Sequence, residues 1–445
     1  MTNGTVLHSL HPLGMLDKFR KDPLLFLESQ ATKNDERVQF RFANRTVHLL
    51  LNPALVKEVL VTQSKSFQKS NQFKELSLLI GEGLVTSECP LHTKQRKIMQ
   101  PYFTPRHIQK YVSEMIGSAS GTMEGWEAGT TLRDISKDMM QVTLAVITKT
   151  MFNMNDHEGH EKVGVHLEKI LEMATKRIRS FLKPPVSWPL PELKQYKASI
   201  EELKRVVEEI IQHREILSEE KEDLLHALLH SRDDEGNHMK RDQLIDEVMT
   251  IFVAGHETTA NLLSWFFYAL ENNEKVKERV YEEVDRVVGK EELCSEHLPK
   301  LPYTRQALEE TLRLYPPVWM FGRTSVRDVK VGCHFIKKGE NVLISPYIMH
   351  RNPQYFQDPL SFDPERFHKA MPESIPPYAY FPFGGGSRVC IGNHFALQEA
   401  LVIAALYVQK FNFTLSSDHR VECHPLITLR PKGGMFMNVE RRVDK

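Results

Sequence analysis

From about Leu91 to Asp285 apolar side chains recur every three or four positions, the spacing of helices with one buried stripe. Within that stretch Glu192 to Asp223 alternates charges so densely that it predicts helix turned largely to solvent. The polar segment Ser231 to His238, with its Asp-Asp-Glu-Gly-Asn run, reads as a surface loop, and a long helix follows from about Arg241 to Asn272. Elsewhere the pattern shortens to a period of two. Val38 to Leu51 reads as two short strands around Ala43-Asn44-Arg45, and Pro53 opens a helical pattern through Val61. Another helix ends at Leu314-Tyr315, because Pro316-Pro317 cannot continue it. Val326 to Val331, Cys333 to Ile336 and Asn341 to Ser345, separated by Gly332 and Lys338-Gly339, then read as antiparallel strands. From His350 to Pro382 the Pro, Asp and Asn content rises into a long irregular segment, which compact domains keep mostly for function. With no internal repeat and no low-complexity linker, the pattern predicts one interlocked domain over residues 1–445, mainly α. Its smaller β-rich part covers roughly 36–62 and 318–346.

Charge changes the picture by exclusion. The 445 residues carry 58 basic and 58 acidic side chains, so no whole-molecule attraction to nucleic acid exists. At 41% hydrophobic and 26% charged, the chain is an ordinary globular one with material for a sizeable core. No apolar run approaches the roughly 18 to 20 residues that span a bilayer, and Met1 through Leu16 lacks the pattern of a signal peptide. A soluble, cytoplasmic protein without a transmembrane anchor is expected. Cys89, Cys294, Cys333, Cys390 and Cys423 are odd in number, far apart and without a C-x-x-C pair, which predicts reduced and mostly buried thiols.

One cysteine stands out. In Phe383-Gly384-Gly385-Gly386-Ser387-Arg388-Val389-Cys390-Ile391-Gly392 a lone Cys sits between glycines, just ahead of the helical run Asn393 to Val408. Backbone N–H groups and the positive end of a helix favour a thiolate there, and glycines let the backbone approach a flat cofactor. An arbitrary Cys beside a Gly-rich turn is more often a buried structural thiol; the residues around this one reverse that preference. A phosphate-loop reading of Gly384 to Gly386 fails, because the spacing is not G-x-G-x-x-G and no βαβ unit surrounds it.

In the middle of the long helix, Ala254-Gly255-His256-Glu257-Thr258-Thr259 places poor helix formers and an acid inside an apolar stretch. Such a breach of local propensity often marks a site, although a Thr pair bonding back to the preceding turn would be the ordinary explanation. Ile251, Ala254, Thr258 and Leu262 share one face, apolar with a single hydroxyl. Farther on, Glu310 and Arg313 stand three apart on a helix, and Pro364-Glu365-Arg366-Phe367 follows some fifty residues later. Alone, a pair at that spacing is usually a weak surface contact.

Taken together these segments resemble the cytochrome P-450 superfamily. Phe383 to Gly392 matches its F-x-x-G-x-R-x-C-x-G haem-binding loop at every fixed position, with Phe383, Gly386, Arg388, Cys390 and Gly392 on the motif. The resemblance implies a mainly α fold with a smaller β-rich subdomain, and haem b (iron protoporphyrin IX) with Cys390 as fifth iron ligand. It assigns Ala254 to Thr258 to the A/G-G-x-D/E-T pattern crossing the distal haem face. There Thr258 would hold a water or the reacting oxygen, and Glu257 would help relay protons to it. It matches Glu310 and Arg313 to E-x-x-R, with Arg366 closing a buried structural triad. His92, Arg96, Arg323 and Arg388 occupy its propionate-binding positions, His92 standing where the family more often has Trp.

The implied reaction is insertion of one atom of dioxygen into a hydrophobic organic substrate, a fatty acid, terpenoid or steroid, by hydroxylation or epoxidation. Nothing in the chain looks like a flavin or NADPH module, so a separate ferredoxin, flavodoxin or reductase is expected to supply electrons. Lys94, Lys97, Arg106 and Lys110 would offer that partner a basic patch, ordinary solvated side chains being an equal reading. By resemblance the pocket walls come from Phe73 to Val85, Met173 to Pro191, Val318 to Phe321 and Leu426-Ile427. A monomer is expected. A peroxide-driven haem peroxygenase would lack the Glu257-Thr258 pair, and a non-enzymatic haem-thiolate sensor would carry an added DNA-binding or signalling module; neither pattern is met.

Overall fold

The chain folds into two compact units in the computed structural model, which describes all residues but 1–3, 10, 32–34, 125, 127–128, 155–156, 181–183, 218–222, 233–235, 369–374 and 443–445. Parts of three expected segments, the 192–223 helix, the 231–238 loop and the 350–382 segment, thus lie outside the described residues. One unit comprises Met1–Lys74 with Glu309–Cys390, the other Glu75–Leu308 with Ile391–Lys445.

The first unit is built on a six-stranded sheet ordered Gly4–Val6, Arg37–Phe42, Arg45–Leu50, Asn341–Ile344, Phe321–Ser325, Phe67–Lys69. The hairpin expected around Ala43-Asn44 forms, with Ala43 taking a left-handed φ of 52° to turn the chain. Val329–Val331 and His334–Ile336 also pair antiparallel as expected. Asn341–Ile344 does not join them. It pairs parallel with Arg45–Leu50, Leu50 opposite Ile344, and antiparallel with Phe321–Ser325, a strand the pattern did not reveal. The reason is burial: Val342-Leu343-Ile344 is a continuous apolar run suited to a strand covered on both faces. Its side chains join Leu50, Val56, Leu60 and Phe381 in the core of this unit.

The second unit is helical, centred on the helix Arg241–Glu271, which runs as expected. Gly255 allows the helix Ile135–Phe152 close: a Cβ there would stand 2.9 Å from Ile147 Cδ1 and Cγ1. From Glu247 to Phe267 every residue of the long helix is buried except Ala254, Gly255 and Thr258. A short polar strand, Thr130–Asp134, interrupts the region read as all helix. It pairs with Phe436–Arg441, so partners three hundred residues away outweigh its local pattern. Cys423–Pro425 and Leu429–Pro431 make a separate hairpin. Among the described residues no helix is long and apolar enough to cross a membrane. The cysteines depart from expectation. None forms a disulfide, and none is buried: Cys89, Cys333 and Cys390 are exposed, Cys294 and Cys423 half-buried. All sit in loops, turns or short edge strands, where side chains do not reach a core.

Candidate active site

The cysteine loop closes on itself. Cys390 donates its N–H to the Phe383 carbonyl at 2.9 Å, Gly384 donates to Phe381 at 3.0 Å and Val389 to Gly386 at 3.1 Å. Gly386 takes a left-handed φ of 68°, and a Cβ there would fall 2.0 Å from the Leu60 carbonyl oxygen. Only glycine therefore lets the loop seat on the turn Glu58–Thr62. Phe383 and Arg388 are half-buried, and Cys390 is left exposed at the end of this pinned backbone. Gly392 caps the helix Asn393–Lys410, so the thiol precedes a helix N-terminus, as the pattern predicts. A fixed loop that holds its one thiol outward fits a cofactor that covers and ligates it. Arg323 lies in the same unit; its Nη1 donates to the Gly322 carbonyl at 3.0 Å, and its guanidinium lies 5.1 Å from the Phe321 ring centroid.

In the helical unit the gap in burial at Ala254 and Thr258, one turn apart, marks a mid-helix face that is only partly covered. Thr258 Oγ1 donates to the Ala254 carbonyl at 2.8 Å, the back-bonding that Thr favours within helices. With its proton committed, the oxygen offers only lone pairs and acts as an acceptor. Glu257 faces elsewhere. Its Oε1 accepts from Arg430 Nε at 2.6 Å and from the hydroxyl of Thr428, while Arg430 Nη2 lies at 2.6 Å. Burial alone would lower the Arg430 guanidinium; the Glu257 charge and hydrogen bond reverse that and raise it. The same hairpin is held to the helix by Asn261, donating to Thr428 Oγ1 at 3.2 Å, and by Trp265, donating to the Leu429 carbonyl at 3.0 Å. Thus the neighbours Glu257 and Thr258 have different partners. His256 is neutral and structural: burial depresses its imidazole, and Nδ1 lies 2.7 Å from the Phe252 carbonyl.

His92 is buried on the helix Leu91–Met99, with Arg96 half-buried one turn later on the same face. Lys94, Lys97, Arg106 and Lys110 are all exposed.

Glu310 and Arg313 come together without any exposure. Arg313 donates through Nε and Nη2 to the two oxygens of Glu310, both at 2.7 Å. Its remaining N–H groups reach the carbonyls of His350 at 2.8 Å, Pro359 at 2.7 Å and Ser361 at 3.0 Å, which uses every donor the guanidinium has. Arg366 is the looser member, with Nε 3.4 Å from Glu310 Oε1 and Nη2 bound to the Asp358 carbonyl at 3.0 Å. Burial raises the Glu310 carboxyl, against the pull of Arg313 and of the Asp363 N–H at 2.8 Å. This cluster fastens the irregular segment after His350 to the helix Pro302–Leu314.

Sequence reasoning missed Thr428, Arg430 and Glu399. The first two are two residues apart, hence on one face at the strand start, a period-two signal with no visible partner. Glu399 was legible as a lone acid in the apolar run Phe395 to Val408. It is fully buried, and burial, against a weaker pull from the Thr259 hydroxyl, drives its carboxyl well above the usual range.

The family description Cytochrome P450 matches residues 7–437, and the chain belongs to that family. It is a haem-thiolate monooxygenase, with haem b as cofactor and dioxygen, an organic substrate and a redox partner implied. Cyclooctatin synthase of Streptomyces melanosporofaciens is 32% identical over 392 residues, 87% of this chain and 84% of that one. Cyclooctat-9-en-7-ol 5-monooxygenase of the same organism is 32% identical over 412 residues, 92% and 89% of the two chains. Pentalenene oxygenase of Streptomyces avermitilis is 27% identical over 430 residues, 96% and 94% of the two chains.

Proposed function

We propose that the protein hydroxylates or epoxidises a terpenoid, with Cys390 as the haem-iron ligand and Thr258 and Glu257 as its proton-handling groups. The exposed thiol on a loop pinned by Gly386 carries the assignment of Cys390. The choice of a terpenoid over a fatty acid or steroid rests on relatives named for pentalenene and cyclooctat-9-en-7-ol. The mostly apolar segments 73–85, 318–321 and 426–427 would line its pocket, with the described part of 173–191.

Haem, when bound, supplies dioxygen activation, and a thiolate ligand makes O–O cleavage easier. The chain supplies the rest. Phe383, Gly386 and Gly392 shape the cradle around Cys390, and Ala254 presents a small apolar surface to the distal side. Arg388, Arg323, Arg96 and His92 offset the propionate charges, which buried carboxylates require. Thr258 Oγ1, which donates its hydrogen bond to the Ala254 carbonyl, would accept from a water and hold it for proton delivery. Glu257, held by Arg430 at 2.6 Å, would serve as the carboxylate end of the proton path. Glu310, Arg313 and Arg366 are structural. Electrons come from a separate ferredoxin, flavodoxin or reductase, received at the exposed Lys94, Lys97, Arg106 and Lys110.

The test combines two spectra. Reduced protein treated with carbon monoxide should give the red-shifted Soret band of thiolate ligation, and Cys390→Ser should lose it. A terpene, fatty-acid and steroid panel should shift the haem spin state most strongly with terpenes. Retention of the shifted band by Cys390→Ser overturns the ligand assignment, and a panel response confined to fatty acids or steroids overturns the substrate class.

A further inference from the structure

The turn between Val329–Val331 and His334–Ile336 brings Cys333 and His334 against Glu36, the residue preceding the strand Arg37–Phe42. Cys333 Sγ, a His334 ring nitrogen and a Glu36 carboxylate oxygen all lie within 4.8 Å of one another. Sγ and Nε2 are 3.7 Å apart. On a tetrahedral ion with Zn–S of about 2.3 Å and Zn–N of about 2.05 Å, two such donors stand about 3.6 Å apart. The pair is therefore already spaced as ligands of one ion.

The surroundings suit that use. His334 is buried, and burial, then the Arg37 charge, depresses its imidazole, so a lone pair is available at neutral pH. The ring is backed by the strand Gly4–Val6, since a Cβ on Gly4 would meet His334 Cε1 at 3.0 Å. Cys333 is exposed, which leaves an entry path and an open coordination position. Arg37 interacts electrostatically with Cys333. Its charge is shared along a chain: Arg37 Nη1 is 2.9 Å from His48 Nδ1, and His48 Nε2 is 2.8 Å from Glu340.

We propose that Glu36, Cys333 and His334 form a three-ligand site for a borderline divalent cation, Zn2+ by its donor set, with water as fourth ligand. Mixed sulfur, nitrogen and oxygen donors select against Mg2+ and Ca2+, which take oxygen. The ion would fasten the hairpin turn to the start of the strand Arg37–Phe42.

The haem-loaded protein is titrated with ZnCl2 under equilibrium dialysis, and with CdCl2 while the ultraviolet thiolate-to-cadmium band is followed by difference spectroscopy. One equivalent of Zn2+ per chain should bind, and the cadmium band should appear. Cys333 is exposed and Glu36 half-buried, so Cys333→Ser and Glu36→Gln should fold, as an unchanged Soret band would confirm. Cys333→Ser should abolish the cadmium band and weaken Zn2+ at least about tenfold, since even the loss of a ligand's supporting partner costs 10- to 100-fold. Glu36→Gln should weaken Zn2+ while keeping the band. Failure of the wild-type protein to take up Zn2+, or equal affinity in Cys333→Ser, overturns the proposal, and neither result bears on Cys390.

Discussion

Arg430→Met removes the cation that Glu257 faces. Glu257 is 2% exposed, and the variant leaves its carboxylate with the Thr428 hydroxyl but no positive partner. An uncompensated buried charge costs about 3 to 5 kcal/mol. Urea unfolding of haem-loaded wild type and variant at pH 7 reads the difference. Glu257→Gln combined with Arg430→Met should recover most of the loss, since the double variant buries no lone charge. A loss under 1 kcal/mol at pH 7 would refute the reasoning.

Thr258→Ala should keep haem binding but lower product formed per NAD(P)H consumed, the balance appearing as hydrogen peroxide; unchanged yield removes the proposed role. His350 is buried, and burial, then the Arg313 and Arg351 charges, bring its imidazole down to about 3. The unfolded chain binds that proton near pH 6.5, so acid between those values favours unfolding by about 1.4 kcal/mol per pH unit. His350→Phe should show an unfolding free energy shallower by one proton between pH 6 and 4, even if its absolute stability falls with loss of the Phe381 N–H contact at 3.0 Å. For Glu399 the sign is opposite: its carboxyl is raised by burial, so stability is lost as pH rises above the unfolded value near 4.3. Glu399→Gln should gain on wild type between pH 5 and pH 8, and parallel pH curves would count against a neutral Glu399.

The elements were legible where local pattern and tertiary demand agree. The long helix appears within a residue of its expected end, and Pro316-Pro317 stops the helix Pro302–Leu314 because proline removes a donor and clashes with the preceding turn. Asn341–Ile344 and Thr130–Asp134 were misplaced or missed because a strand of three to six residues is decided by its partners, which here come from the other end of the chain.

Sequence alone determined the family, since the pattern Phe383 to Gly392 lies in fixed local order, and local order is what a sequence displays. Tertiary structure decided the charges. It gave Glu257 to Arg430, left Glu399 without an ion partner and spent every donor of Arg313 on one carboxylate and three carbonyls. The ionisation and reach of an acid depend on which groups lie within a few ångströms of it, and that distance bears no relation to separation along the chain.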